Sequence, residues 1–218
     1  MNKESSRGCF IALEGGEGTG KSTQAALLVD ALANRGIEAE LTREPGGTPG
    51  AEAIRALLLD PPEGGWNARA EALLFAAARS DHVERRIKPA LEAGRWVVCD
   101  RFVDSSRAYQ GGAGGLGDDA IANLHGFGSE GLRPDLTVLI EVSPDKVAER
   151  LSERDADGSD AIGGRSAAYH ARVAESFAAL ANEDPAQFVR IDGDASPEAV
   201  HMQILAAIEH LIAERQQC

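Results

Sequence analysis

A glycine-rich segment near the start of the chain has the residue types and spacing of a phosphate-binding loop. Residues 15–22 read GGEGTGKS and match the pattern G-x-x-x-x-G-K-[ST] at every fixed position. The N–H groups of such a loop can surround a polyphosphate at the positive end of a helix dipole. Lys21 would add a cation at the β- and γ-phosphates, and Ser22 would offer its hydroxyl to Mg²⁺. The pattern therefore predicts a nucleoside triphosphate site, with expected contacts from Gly15, Gly16, Glu17, Gly18, Thr19, Gly20, Lys21, Ser22 and Thr23.

A second set of polar residues follows apolar runs farther along the chain. Asp100 and Arg101 come directly after the run WVVC at 96–99, and Arg43 follows a shorter run that ends at residue 42. In open parallel sheets, ligands bind at the edge formed by the carboxyl ends of the strands. A carboxylate there can hold Mg²⁺ or its waters, and arginine forks match phosphate oxygens. We therefore expect Asp100 to bind the metal together with Ser22, and the two arginines to bind a second phosphate.

Two further residue pairs have spacings that could place them in one site. Phe75 and Arg79 are four residues apart and share one helix face. Tyr109 and Gln110 stand immediately before a pair of glycines. Taken alone, the first pair fits core packing with a solvated arginine, and the second fits a helix end. Neither pair indicates a function by itself.

Alternating strand-like and helix-like segments would position these residues. Short apolar runs predict strands at about 9–13, 38–42, 95–99, 138–142 and 188–191. Helical patterns cover 22–35, 50–59, 68–83 and 197–213, a separate turn starts at Pro89, and the segments 111–117 and 155–164 read as irregular loops. Strands joined by helical crossovers imply an α/β fold with a parallel sheet that helices cover on both faces.

Composition limits the classes of protein to consider. The chain of 218 residues suits one α/β domain, and its formal net charge of −13 argues against a nucleic-acid or anionic-membrane partner. No apolar stretch approaches the ~18 residues of a membrane span, and residues 1–7 lack a signal-peptide core. Cys9, Cys99 and Cys218 have no metal-binding spacing, and their odd number favours a reducing cytoplasm.

Four sequence blocks taken together resemble the thymidylate kinase family. In order they read GGEGTGKST, TREPGGT, AEALLFAAAR and DRF followed by SSRAYQGG, and the similarity extends from about Phe10 to Ile191. The resemblance implies a three-layer P-loop NTPase fold with five parallel strands, in a single nucleoside monophosphate kinase domain over residues 1–218. It also implies that a homodimer transfers the γ-phosphoryl group of ATP to dTMP, with Mg²⁺, and forms dTDP.

The resemblance assigns residues to the base and sugar of dTMP. By match, Phe75 would stack on the thymine ring and Arg79 would bind a base carbonyl. Ser106 and Gln110 would lie near the base edge. Tyr109 would lie beneath the deoxyribose, where it crowds a ribose 2′-hydroxyl.

Other matched residues are assigned to the phosphates. Glu17 would lie near the sugar and phosphate of the acceptor, and Arg43 and Arg101 would hold that phosphate. Phosphoryl transfer requires aligned phosphates and positive charge where negative charge develops. Catalysis would therefore depend on Lys21, on Arg101, on Mg²⁺ held at Asp100, and on an arginine from a lid segment that covers the site.

The lid is where this sequence departs from its relatives. Members of the family have either an arginine in the phosphate loop or a glycine there and catalytic arginines in a lid. Gly18 places this chain in the second group. The lid would then be the segment from Arg150 to Arg165. Relatives often have Asp-Arg-x-Glu there, but Ala161 stands where the arginine is expected. Arg154 is the residue that we expect to reach ATP.

Other proteins with a phosphate loop fit the sequence less well. A regulatory GTPase would need an Asn-Lys-x-Asp segment, which is absent, and a dinucleotide site would need glycine in place of Lys21. An ATPase binding module would not need the Phe75 and Tyr109 pairs. A kinase for another nucleoside or deoxynucleoside monophosphate, or for a deoxynucleoside, is the remaining alternative, and the TREPGGT and AYQGG blocks favour dTMP over these.

Overall fold

Five short strands form one parallel sheet. The computed structural model describes residues 7–154 and 161–216, with side chains except at 152–154 and 215–216. The strands are β1 (Phe10–Glu14), β2 (Ala39–Arg43), β3 (Trp96–Asp100), β4 (Leu136–Glu141) and β5 (Phe188–Asp192), in the order β2-β3-β1-β4-β5. Every pairing between neighbours is parallel. The predicted α/β fold with a five-stranded parallel sheet is confirmed.

Helices connect the strands along the chain. The α-helices are α1 (Lys21–Ala33), α2 (Pro49–Leu59), α3 (Ala68–His82), α4 (Lys88–Glu92), α5 (Val103–Ser106), α6 (Asp118–Ser129), α7 (Pro144–Arg154), α8 (Ala167–Glu183) and α9 (Pro197–Gln216). Wider, π-helical turns at Val83–Ile87 and Arg107–Ala113 join α3 to α4 and extend α5. Within the described residues, no helix combines the length and the apolar character that crossing a membrane would require.

The strands are buried on both faces, as their continuous apolar runs predict. On β1, Ile11 and Leu13 belong to the apolar cluster that contains residues of α1 and α9. Phe10 and Ala12 belong to a cluster with Val83 and other residues of the segment 83–103. Because successive side chains of a strand point to opposite faces, these two clusters lie on opposite sides of the sheet. The sheet is therefore the middle of three layers.

In two predicted segments the secondary structure differs from the prediction. The helix expected to end near residue 83 is followed without a break by the π-helical turn at Val83–Ile87 and by α4, which contains Pro89 and ends at Glu92. The segment 111–117 is helical as far as Ala113. A Cβ at Gly112 would lie 2.1 Å from Ser176 Oγ, so the glycine allows this turn to approach α8. Of the predicted loop at 155–164, residues 155–160 lie outside the described residues, and 161–164 form turns.

The strand order brings the polar residues at the strand ends to one edge of the sheet. Leu13 of β1 pairs with Asp100 of β3, and Asp100 pairs with Arg43 of β2. β1 lies between β3 and β4: the chain first builds β2 and β3 on one side of β1, and then crosses from β3 to build β4 and β5 on the other side, so the direction of winding switches next to β1. A crevice forms at such a switch point and is the usual ligand site of an open α/β sheet.

Candidate active site

The phosphate loop joins β1 to α1 and closes around the Lys21 side chain. Gly15 and Gly18 have positive φ values of 144° and 70°, which residues with a side chain rarely adopt. Lys21 is the first residue of α1, and its Nζ donates hydrogen bonds to Gly16 O at 2.5 Å and to Thr19 Oγ1 at 3.2 Å. The ammonium group thus lies within the loop.

The electrostatics of this position favour an anionic ligand. Burial, followed by the nearby Arg101 charge, lowers the pKa of Lys21 to about 8. A lowered lysine pKa means that the surroundings supply too little negative charge to balance the ammonium group. A bound polyphosphate would supply that charge.

Ser22 and Asp100 meet beside the phosphate loop. The Ser22 hydroxyl donates a hydrogen bond to Asp100 Oδ2, whereas Asp100 Oδ1 is buried and has no hydrogen-bond partner. Buried carboxylate oxygens are normally partnered, so Oδ1 is a position for a cation or its waters. No group of three or more His, Cys, Asp or Glu residues in the described part of the chain could hold a metal ion by itself. The pair therefore fits Mg²⁺, which nucleotide sites bind through one or two protein oxygens together with phosphates and waters.

Arg101 connects the phosphate loop to the turn that follows β3. Its φ of 70° lies in the left-handed region, which is unusual for a residue other than glycine. Its Nη1 donates to Gly15 O at 2.9 Å and its Nη2 to Glu17 Oε1 at 2.6 Å. The Tyr109 hydroxyl donates to the same Glu17 oxygen at 3.0 Å, and the Arg101 Cζ lies 5.2 Å from the Tyr109 ring centroid. These contacts bring four of the predicted site residues together, namely Gly15, Glu17, Arg101 and Tyr109.

A cavity opens next to this cluster, between α2, α3 and residues 102–110. All the residues implied to bind the acceptor line it except Arg43, namely Glu17, Phe75, Arg79, Arg101, Ser106, Tyr109 and Gln110. The other lining residues are Glu44, Pro45, Arg55, Leu59, Phe102, Ser105 and Ile162. Since Arg101 lines the cavity and also contacts the phosphate loop, the cavity and the loop are adjacent.

Arg79 is held in the cavity wall by a buried ion pair. Its Nε donates to Glu44 Oε2 at 2.7 Å, and its Nη2 donates to Ser106 Oγ at 2.9 Å. Burial alone would raise the pKa of Glu44, but the Arg79 charge and a hydrogen bond from His82 lower it overall. Sequence reasoning did not select Glu44, although an acid next to an arginine in the TREPGGT block was an available signal.

Arg43 and Arg55 have different surroundings. The Arg43 side chain is 53% exposed and lies outside the cavity, with its Nη2 at 3.0 Å from Glu52 Oε1. Arg55 lies in the cavity wall and donates from Nη1 to Pro45 O at 2.8 Å. Sequence reasoning missed Arg55 because an isolated arginine on a helix usually faces solvent. The sequence feature that could have identified Arg55 is its position on the same helix face as Leu59, four residues later.

A buried carboxyl group supports the turn that carries Arg101. Glu14 is fully buried at the end of β1, and its Oε1 accepts hydrogen bonds from Phe102 N at 2.8 Å and Ser105 N at 2.9 Å. Burial, followed by the Asp104 charge, raises the pKa of Glu14 to about 7. An acid at the end of an apolar strand was the signal that could have identified it.

The first part of the predicted lid lies against the phosphate loop. Arg150 of α7 donates from Nη1 to Gly18 O at 3.3 Å and from Nη2 to Gly193 O at 3.0 Å. Arg154, the arginine expected to reach ATP, is the last residue of α7, and its side chain lies outside the described residues.

The last part of the predicted lid lies against the cavity. The N–H group of Ala161 donates to Leu59 O at 3.4 Å, and Ile162 lines the cavity. Arg165 forms an ion pair with Glu71 of α3. Arg165 therefore contacts α3, which forms part of the cavity wall, and not the phosphate loop.

Comparisons with known proteins agree on one family. The family model described as thymidylate kinase matches residues 13–204. A thymidylate kinase of Rhizorhabdus wittichii is 55% identical over 205 residues, which cover 94% of this chain and 99% of that protein. A thymidylate kinase of Chromohalobacter salexigens is 49% identical over 207 residues, covering 94% of this chain and 97% of its own.

A solved structure shares the fold as well as the sequence. The crystal structure of thymidylate kinase from Ehrlichia chaffeensis superimposes with a TM-score of 0.76 at 30% sequence identity. The match covers 93% of this chain and 99% of the other.

Proposed function

The chain belongs to the thymidylate kinase family and phosphorylates dTMP, and we propose that the phosphoryl donor is ATP and the product dTDP. The position of Arg101 is the observation that carries this proposal. Its guanidinium contacts Gly15 of the phosphate loop and lines the acceptor cavity. In-line transfer between two phosphates requires the two sites to be adjacent, with positive charge between them.

On the donor side, ATP would place its phosphates against the N–H groups of residues 15–23. Lys21 would contact the β- and γ-phosphates from inside the loop. Its lowered pKa indicates an ammonium group that a polyphosphate would stabilise. The loop leads directly into α1, so its N–H groups lie at the positive end of the helix dipole.

Ser22 and Asp100 are the residues that would hold Mg²⁺. The unpartnered Asp100 Oδ1 and the adjacent Ser22 hydroxyl support this assignment. When bound, Mg²⁺ would neutralise charge on the transferring phosphoryl group.

On the acceptor side, the cavity wall would bind the base and the sugar of dTMP. Phe75 would stack on the thymine ring, and Arg79 would donate to a base carbonyl from the position that Glu44 maintains. Gln110 and Ser106 would lie at the base edge, and Tyr109 would lie under the deoxyribose. The presence of all these side chains in one cavity supports the assignment.

The acceptor phosphate would be bound at the end of the cavity nearest the phosphate loop. Arg101 and Arg55 line the cavity and supply guanidinium groups, which match phosphate oxygens. Glu17 would lie beside the sugar and phosphate and orient Arg101. Arg43 ends β2 at the same edge of the sheet. It would also bind the acceptor phosphate by leaving its ion pair with Glu52.

Catalysis would consist of alignment and charge stabilisation. No general base is needed, because the acceptor phosphate oxygen is already a nucleophile. Lys21 and Arg101 would stabilise the charge that develops on the transferring group. Arg154 would add the lid arginine, since it ends the helix whose Arg150 already contacts the phosphate loop.

Three proposals concern the chain as a whole. All five strands belong to one sheet, which supports a single kinase domain with its lid at about 150–165. The exposed Leu73 and Phe127 line one surface groove between α3 and α6, which supports a homodimer through this face. Cys9 and Cys99 are thiols, which supports a cytoplasmic location.

A substrate panel tests the proposed reaction. ADP release from ATP would be measured with dTMP, dUMP, dCMP, dGMP, deoxythymidine or no acceptor. We expect rapid release with dTMP and little without an acceptor. Equal rates with and without dTMP would contradict a kinase and indicate an ATPase, whereas preference for another acceptor would indicate a different kinase.

A further inference from the structure

The side-chain amide of Gln110 is held in one orientation by Glu71. Gln110 Nε2 donates a hydrogen bond to Glu71 Oε1 at 2.9 Å. An ionised carboxylate can only accept hydrogen bonds, so it turns the NH₂ group of the amide toward itself. The amide oxygen makes no hydrogen bond with the described residues, and Gln110 lines the acceptor cavity. This oxygen is therefore available to a ligand as an acceptor.

Glu71 is in turn held by Arg165. The Arg165 Nη2 donates to Glu71 Oε2, and the Arg165 Nη1 donates to the Tyr169 hydroxyl at 2.5 Å. The Tyr169 hydroxyl donates to the backbone oxygen of Tyr109 at 2.8 Å. Both members of the ion pair are largely shielded from water, with 25% of the Arg165 side chain and 12% of the Glu71 side chain exposed. The pair thus keeps a charged, immobile carboxylate behind Gln110.

Arg79 completes a donor and acceptor pattern in the cavity wall. Its Nε and Nη2 are used by Glu44, Phe102 and Ser106. Its Nη1 makes no hydrogen bond with the described residues, so this NH₂ group remains for a ligand carbonyl. With Gln110 in the observed orientation, the wall offers one donor and one acceptor.

This pattern matches one class of pyrimidine. Thymine and uracil have a carbonyl oxygen at position 4 and an N–H group at position 3, which complement Arg79 and Gln110. Cytosine has an amino group at position 4 and an acceptor nitrogen at position 3, so it would oppose donor to donor and acceptor to acceptor. Such mismatches are strongly discriminating in a buried site.

We propose that Glu71 and Arg165 are positioning residues that make the cavity select a 4-oxo pyrimidine with N3–H over a 4-amino pyrimidine. The proposal rests on the proposed function, because it concerns how the same cavity reads its acceptor. If Glu71 lost its charge, the Gln110 amide could rotate and offer its NH₂ group to N3 of cytosine.

Glu71→Gln tests this directly, since it keeps the shape of the side chain and removes its charge. The measured quantity is kcat/KM for dTMP divided by kcat/KM for dCMP. We expect this ratio to fall about 10- to 100-fold, with the KM for ATP unchanged. A general loosening of the site would lower both values together and leave the ratio unchanged.

A double-mutant cycle with Gln110→Met distinguishes positioning from a separate structural role. Methionine has nearly the same length but no amide to orient. If Glu71 acts through Gln110, Glu71→Gln should have little further effect on the ratio in the Gln110→Met background. Additive effects would overturn the proposal.

Arg165→Met and Arg172→Met form a matched pair. Both arginines lie over the Tyr169 ring, with Cζ at 4.7 Å and 5.7 Å from its centroid, but only Arg165 binds Glu71. Arg165→Met should lower the ratio, Arg165→Lys should restore part of it, and Arg172→Met should leave it unchanged. Equal effects of Arg165→Met and Arg172→Met would overturn the role of Arg165.

Activity of the wild-type enzyme distinguishes failure of the proposed function from failure of the selectivity proposal alone. If it does not phosphorylate dTMP, the proposed function fails, and the selectivity proposal fails with it. If it does, and neither Glu71→Gln nor Arg165→Met changes the ratio, only the selectivity proposal fails. Should Glu71→Gln not fold, the Arg165 variants and their control decide the outcome.

Discussion

The Arg101 guanidinium and the Glu17 carboxylate meet at 2.6 Å, and both side chains are largely buried. Glu17 belongs to the phosphate loop, and Arg101 belongs to the turn after β3, so the pair joins the proposed donor side of the site to the proposed acceptor side. Arg101 is thus oriented before either substrate binds. An arginine that is already in place loses little energy to reorganisation when the phosphates arrive.

Replacing Arg101 should lower the turnover rate while the protein still folds. In Arg101→Met, we expect kcat to fall about 100- to 1,000-fold, because a cation at the transferring group is lost. The measurement is steady-state ADP release with saturating ATP and dTMP. Arg190→Met is the control, since Arg190 of β5 forms an exposed ion pair with Glu141 of β4. Wild-type turnover in Arg101→Met would contradict the proposed role.

Phe75→Ala should affect one substrate only. We expect the KM for dTMP to rise about 10-fold or more, because stacking on a base is worth ~1–3 kcal/mol, and the KM for ATP to stay the same. Met202→Ala is the control, since Met202 is exposed on α9 and lies outside the cavity and the groove between α3 and α6. If both KM values change equally in Phe75→Ala, Phe75 is only part of the core.

ATP binding should be pH-dependent because of Lys21. The pKa of Lys21 is lowered to about 8 in the free protein, and a bound polyphosphate would raise it. Below pH 7 the lysine is already charged, whereas above pH 8 binding must take up a proton. We therefore expect the Kd for ATP to rise up to ~10-fold per pH unit above pH 8.

Calorimetry in two buffers of different ionisation enthalpy would detect the uptake of a proton at pH 9. In Lys21→Met the Kd for ATP should be higher and should no longer change between pH 7 and pH 9, while dTMP should still bind. Persistence of the same pH dependence in this variant would show that another group is responsible.

Glu14 should make the free energy of unfolding depend on pH. Burial and the Asp104 charge raise the pKa of Glu14 from 4.5 to about 7, so the native state binds a proton that the unfolded state releases. This stabilising contribution is present below pH 4.5 and is lost as the pH rises toward 7. The slope should reach about 1.4 kcal/mol per pH unit.

Glu14→Gln should remove that slope, because glutamine keeps the acceptor oxygen for Phe102 N and Ser105 N but does not titrate. Urea unfolding at pH 5, 6 and 7 measures it. Relative to the wild type, the variant should become more stable as the pH rises across this range. If the free energies of unfolding of the wild type and of Glu14→Gln change in parallel with pH, Glu14 is not the titrating group.

Asp100→Asn should raise the requirement for Mg²⁺. Asparagine keeps the shape of the side chain and an oxygen for the Ser22 hydroxyl, but it lacks the negative charge that favours a cation. We expect the Mg²⁺ concentration for half-maximal activity to rise about 10-fold, with dTMP binding unchanged in the absence of the metal. An unchanged metal requirement would exclude Asp100 from the metal site.

Local sequence patterns were sufficient for the fold and for the phosphate loop. The five strands were predicted to within a few residues, because each is a short apolar run of the kind that a parallel sheet buries on both faces. Lys21 and Ser22 follow from the spacing of the loop. The helical conformation of residues 111–113, at the start of the glycine-rich segment, did not follow, because it depends on the close approach of α8.

What the sequence determined by itself was therefore the parallel sheet and the phosphate loop, whereas the family resemblance supplied the side chains proposed for the acceptor cavity. Tertiary structure alone decided which of them meet. Arg101 and Glu17 are 84 residues apart, and Arg165 and Glu71 are 94 apart. Placement of Arg55 inside the cavity and Arg43 outside it likewise depends on how α2 packs. A guanidinium binds whichever carboxylate the packing of distant elements brings within about 3 Å, and residue spacing along the chain does not specify that.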